Sequence, residues 1–196
     1  PPTMAPTLAP TCRATCTIIP DGNGHVTIPG SWESVDSCAF YSCSGLHSVT
    51  IPSSVISIGS DAFKATLLYN VSIATSITNI GSGAFSNCSQ IEKLSVGGAL
   101  VGTSNFMDVY FSFSKNSLRT LIVSFDETAG IIGEKAWKDC YSLKTVEIGY
   151  SESVTVHDSA FEGDGSLTSM VFDTHTHVVF HSKVLTGCDA LQKILF

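Results

Sequence analysis

Apolar residues fall into short alternating runs that recur along the chain. Val49-Thr50-Ile51, Val71-Ser72-Ile73, Leu94-Ser95-Val96, Val146-Glu147-Ile148 and Met170-Val171-Phe172 each place one outward position between two inward ones. Alternation at a period of two is the pattern of a half-buried strand. A conserved phrase leads into each run: AFYSCSGLHSVTI (39–51), AFSNCSQIEKLSV (84–96), AWKDCYSLKTVEI (136–148), AFEGDGSLTSMVF (160–172) and VLTGCDALQKILF (184–196). A small or apolar residue precedes an aromatic or Leu. A Cys or Asp follows three positions later, then an aliphatic, then the strand.

The interval between copies predicts the architecture. AFKATLLYNVSI (62–73) is a shorter copy with Thr66 at the Cys position. The anchors Ala39, Ala62, Ala84, Ala136, Ala160 and Val184 are 23, 22, 52, 24 and 24 residues apart. The gap of 52 spans two coils, so a worn copy is expected near Tyr110–Val123, carried by Leu118, Leu121 and Val123. After the strand, Pro52-Ser53-Ser54 makes a turn, Val55 and Ile58 bury as the coil returns, and Gly59 permits a tight corner. The Ala-aromatic pair is expected to open a half-turn of helix or a 3₁₀ turn, with its aromatic inside the coil. One such coil cannot close a core, but stacked coils bury one another's apolar positions. The expected fold is a repeat solenoid: a right-handed β/α stack of about seven coils whose short strands pair in parallel.

The phrase LHSVTIPSSVISIGSDAF (46–63), with its echoes SITNIGSGAF (76–85) and LKTVEI (143–148), resembles the surface leucine-rich repeats of the BspA-like family. That resemblance implies a leucine-rich-repeat fold and an extracellular, cell-surface role in adhesion or recognition, without catalysis.

The front of the chain reads differently. Residues 1–11, PPTMAPTLAPT, form a Pro/Thr-rich linker in which Thr3, Thr7 and Thr11 are candidates for O-linked sugar. No charged segment followed by an apolar one opens the sequence, so a mature or excised portion of a longer protein is expected. Residues 12–38 are expected to cap the solenoid, leaving 39–196 as the repeat domain. Within that cap, TIIPDGNGHVTI (17–28) places Asp21-Gly22-Asn23-Gly24 between two apolar runs, which predicts a β-hairpin. Cys12, Cys16, Cys38 and Cys43 crowd the same region and are expected to form disulfides, preferably joining Cys12 and Cys16 to Cys38 and Cys43. Four cysteines allow three pairings, so spacing leaves the connectivity open. Cys88, Cys140 and Cys188 repeat two coils apart, ~10 Å, beyond disulfide reach, and are expected to be small buried residues.

Charge and chemistry narrow the function. Ten basic and seventeen acidic residues give a net charge of −7. This disfavours nucleic acid as a partner, and no run approaches the ~18 apolar residues of a membrane-inserted helix. No nucleophile elbow, phosphate loop or dinucleotide fingerprint is present, and neither a cofactor nor an enzymatic activity is expected. His175, His177 and His181 are weak candidates for a metal site, with His157 one coil from His181, but a polar outer face is the simpler reading. Asn70-Val71-Ser72 and Asn87-Cys88-Ser89 are N-glycosylation sequons, Asn87 in an exposed corner and Asn70 half-buried beside a strand. Thr50, Ser72, Ser95, Ile122, Glu147 and Val171 are expected to form one row on the binding face, for a protein or glycan ligand. Leu191, Ile194 and Phe196 mark an expected association end, for another subunit or an adjoining domain. The alternative function is therefore a structural subunit of an extracellular filament or matrix.

Overall fold

Each alternating run becomes a strand that pairs in parallel with the run one repeat later. The structure, a computed structural model, describes residues 12–97, 100, 102, 106–111, 114–125 and 127–196. The expected linker 1–11, with Thr3, Thr7 and Thr11, lies outside the described residues. The strands are β1 (His25–Thr27), β2 (Ser34–Val35), β3 (Ser48–Thr50), β4 (Ser57–Ile58), β5 (Asn70–Ile73), β6 (Asn79–Ile80) and β7 (Lys93–Gly97). The later ones are β8 (Thr120–Ser124), β9 (Glu127–Ile132), β10 (Thr145–Ile148), β11 (Ser151–Val156), β12 (Ser169–Phe172), β13 (His177–Phe180) and β14 (Lys193–Leu195).

They form an eight-stranded sheet in the order β1-β3-β5-β7-β8-β10-β12-β14 and two three-stranded sheets, β2-β4-β6 and β9-β11-β13. The large sheet alternates with the small ones along the chain, so about seven turns wind a parallel β-solenoid. The worn copy is present: β8 pairs with β7 on one side and β10 on the other. Helix is almost absent among the described residues, found at Leu100, in α1 (Phe106–Tyr110) and in a 3₁₀ turn at Ser114–Asn116. Of the two expectations for the Ala-aromatic pair, the structure takes the tighter one, a chain of 3₁₀-type i→i−3 turns such as Ala39 N–H to Asp36 O and Tyr41 N–H to Cys38 O. Alternate residues of this layer donate to the next coil: Cys38 to Ser60 O, Phe40 to Ala62 O and Ser42 to Lys64 O. A helix would turn every N–H inward on itself and forfeit those bonds.

The core is a set of columns, one residue per coil. Phe40, Phe63, Phe85 and Phe111 stack face to face with centroids 5.2, 5.1 and 4.8 Å apart. Phe106 then links Phe111 to Trp137, and Trp137 stacks on Phe161. All seven rings are fully buried. Beside them runs the Cys column, with Thr66 and Asp164 taking the same place and both buried. Cys88 Sγ donates to Phe63 O at 3.1 Å and Cys188 Sγ to Phe161 O at 3.1 Å, so each thiol bonds the backbone one coil back. Gly59 and Gly81 stand where successive coils approach most closely. A Cβ there would collide with the backbone of Ser37 and Ser60, respectively.

Two expectations for the front of the chain are corrected. Residues 17–28 do not form a hairpin. The Asp21–Gly24 turn is present, with the Asp21 carboxylate accepting the N–H groups of Asn23 and His25 at 2.8 and 2.9 Å. Those bonds hold the carboxyl below its ordinary pKa. Residues 17–20, however, form no strand. β1 pairs in parallel with β3 instead, because Val26 and Ile28 are inward residues of a coil. The repeat fold therefore begins at β1, inside the segment expected to be cap. What covers the first coil is the lead-in: Thr15 and Thr17 donate to Tyr41 O and Ala39 O, and disulfides join Cys12 to Cys38 and Cys16 to Cys43.

Candidate functional site

Parallel pairing without slippage brings equivalent residues into rows on the outer face of the large sheet. Thr27 faces Thr50, Ser72 faces Ser95, Ser95 faces Ile122, Ile122 faces Glu147, and Glu147 faces Val171. The offset that sets Ser48 against Asn70 puts Thr50 against Ser72. The expected row is therefore continuous, and none of its six residues is buried. Leu195 extends it beyond Val171. Two residues earlier in each strand runs a second row: His25, Ser48, Asn70, Lys93, Thr120, Thr145, Ser169 and Lys193. Hydroxyls and amides dominate it.

Two shallow depressions lie on this face. One is lined by Ser48, Asn70, Ser72, Lys93, Ser95 and Ile122. The other is lined by Ile122, Glu147, Val171 and Asp173 with the backbone around Gly149. The first mixes hydroxyl, amide and aliphatic groups with one cation, and the second is somewhat more apolar with two carboxylates.

The second row holds an arrangement that sequence reading missed. His25 Nδ1 lies 2.8 Å from Ser48 Oγ, and Nε2 lies 3.2 Å from Thr50 Oγ1 and 3.3 Å from Thr27 Oγ1. A 23-residue offset brings the Ser and His together. A nucleophilic triad would place a carboxylate on the far ring nitrogen, where hydroxyls stand. The Asp21 carboxylate takes the His25 backbone N–H instead of the ring. The cluster thus fixes the rotamers of four polar side chains and offers hydrogen bonds.

Other candidates separate. Asn87 is exposed in the turn layer, in a left-handed conformation with φ 60°. Asn70, expected to be half-buried, is exposed on the sheet face because the strand's alternation turns it outward while Val71 points in. His157 and His181 do meet across adjacent coils, with ring centroids 4.6 Å apart and planes tilted by 47°, and His181 Nδ1 is 3.6 Å from Asp158. His175 contacts Thr174, and His177 sits on β13 opposite Ser153. Among the described residues no three His, Cys, Asp or Glu side chains converge as a metal site. Leu191 and Ile194 are half-buried, while Phe196 is exposed and stacks on Phe172 at 5.3 Å. No helix among the described residues is long and apolar enough to cross a membrane.

A search of curated protein sequences gives no significant match. Among solved structures, a leucine-rich repeat protein from Bacteroides ovatus is 19% identical over 92% of this chain and 52% of its own, with a TM-score of 0.54. A leucine-rich cell surface protein from Faecalibacterium prausnitzii is 19% identical over 87% of this chain and 59% of its own, with a TM-score of 0.37. The pneumococcal vaccine antigen PcpA is 16% identical over 90% of this chain and 53% of its own, with a TM-score of 0.42. The chain thus spans between half and three-fifths of the length of these proteins. The model of the BspA-type leucine-rich repeat region matches in six copies over residues 23–121 and 109–196. With the repeat phrase, the parallel ladders and this match in agreement, the chain belongs to the BspA-type leucine-rich repeat family.

Proposed function

We propose that the protein is an extracellular recognition module that binds a protein or glycan partner on the outer face of its large sheet, without catalysing a reaction on it. The observation that carries this reading is the pair of in-register rows, which place small hydroxyl side chains, and the amide of Asn70, on seven of the eight strands, β1 to β12. Interior strands of that sheet have their backbone groups paired on both sides, so the face offers side chains at fixed spacing and little mobility. Fixed, rotamer-limited contacts lower the ordering cost of binding. Glu147 has Ile122 and Val171 directly opposite it in the row, and Asp173 shares its depression without a hydrogen bond between the two carboxylates.

The extracellular assignment rests on chemistry. Two disulfides close the first coil, and such bonds persist in oxidising compartments. The test is binding of the intact chain to immobilised extracellular-matrix proteins and cell-surface glycans, repeated with Ser72→Trp and Ser95→Trp. Loss of binding with unchanged thermal unfolding is expected. Full binding by both variants would move recognition off this face.

A further inference from the structure

Only ten residues of this acidic chain are Lys or Arg. Four of them gather where the strands of the large sheet begin. Lys93 opens β7 and Lys193 opens β14. Arg119 and Lys144 stand one residue before β8 and β10. All four are exposed. The register Lys93↔Thr120↔Thr145↔Ser169↔Lys193 sets them along one edge spanning five strands, or ~19 Å. The one acid in this line, Glu92, is 3.5 Å from Arg119 and is neutralised by it. Lys93, Lys144 and Lys193 have no carboxylate within ion-pair distance among the described residues. The cations of the turn layer, by contrast, are spent locally: Lys64 on Asp61 and Lys138 on Glu162.

We infer that this edge binds an anionic polysaccharide lying across the strands, with Lys93, Lys144 and Lys193 meeting its acid groups and Arg119, paired with Glu92, beside them. The inference rests on the recognition face proposed above and names the ligand class for it. Beside the cations lie Asn70, Thr120, Thr145 and Ser169, suited to sugar hydroxyls. Tyr69, 47% exposed and adjacent to Asn70, offers an aromatic face to the apolar side of a pyranose ring. An acidic peptide fits less well. Peptides gain affinity from a sheet chiefly by adding a strand at an open edge, and within the large sheet β7, β8, β10 and β12, where most of these cations stand, are paired on both sides.

The experiment is titration of the full chain with heparin and polygalacturonate oligosaccharides, with dextran as the neutral glycan and polyglutamate as the acidic peptide. Lys93→Glu/Lys144→Glu is compared with Lys64→Glu/Lys135→Glu, which changes net charge equally in the turn layer. The expected result is binding to at least one acidic glycan that weakens with salt and falls about tenfold or more in the first variant. The second variant and dextran should leave it unchanged. Equal binding to polyglutamate, an equal loss in both variants, or no acidic-glycan binding would overturn the inference. If acidic glycans fail while a ligand from the preceding experiment is still lost on Ser95→Trp, the ligand class falls and the face stands. If Ser95→Trp also has no effect, both fall.

Discussion

The carboxylate of Asp164 accepts the backbone N–H of Cys140, one coil earlier, at 2.7 Å. It does so inside a column otherwise built from the thiols of Cys88, Cys140 and Cys188, the disulfide sulfur of Cys43 and the hydroxyl of Thr66. Its second oxygen is buried without a partner among the described residues. Burial pushes the Asp164 carboxyl up to about 8, with the Asp139 charge adding to the effect and the Cys140 N–H opposing it.

A carboxyl whose folded pKa is raised favours folding only while it keeps its proton. The unfolded chain releases that proton near 3.8 and the folded chain near 8, so stability contributed by this site falls between those values. Urea unfolding at pH 5 and pH 8.5 checks this. The native chain is expected to lose stability on the order of a few kcal/mol across the window. Asp164→Asn keeps the acceptor for Cys140 and cannot ionise, so it should lose much less. Equal losses in both chains would show that Asp164 does not titrate as described.

The seven-ring column extends through the worn coil by way of Phe106 and Phe111. Truncating Phe85 or Phe111 to Ala should each cost about 3–5 kcal/mol through the cavity left behind. Chemical denaturation of the two variants decides it. A loss below about 1 kcal/mol at Phe111 would mean that the worn coil does not share the column.

The disulfides close loops with sequence separations of 26 and 27 residues. Chain entropy gives either one alone a stabilisation of about 3.5 kcal/mol. Cys12→Ser/Cys38→Ser should lower the unfolding temperature, and peptide mapping without reductant should find Cys88, Cys140 and Cys188 unbridged, as they are in the structure. A linked Cys140–Cys188 pair would contradict the coil spacing.

The periodic parts of this fold were legible because a solenoid repeats its own packing. The interval between Ala39 and Val184 set the coil number, and Leu118, Leu121 and Val123 located the worn strand without its consensus. Phe106 and Phe111 were not legible, because that coil reaches its core through α1 instead of an Ala-aromatic pair, which changes their spacing. The hairpin was misread for a related reason. Asp21–Gly24 turns the chain identically in a hairpin and at a solenoid corner, and only the partner of Val26 distinguishes them. The rows on the sheet face followed from alternation. The His25–Ser48 contact and the cationic edge required the register between coils, which short runs leave unspecified.

A spin-label distance between Ser72→Cys and Val171→Cys tests most directly whether one unbroken row crosses the worn coil. The pair is separated by four strand steps, β5 to β12 through β7, β8 and β10. The buried thiols of Cys88, Cys140 and Cys188 should resist labelling. In-register stacking predicts a single narrow distribution centred near ~20 Å. A broad or bimodal distribution, or a centre beyond ~30 Å, would exceed four steps of parallel pairing and contradict a continuous recognition face.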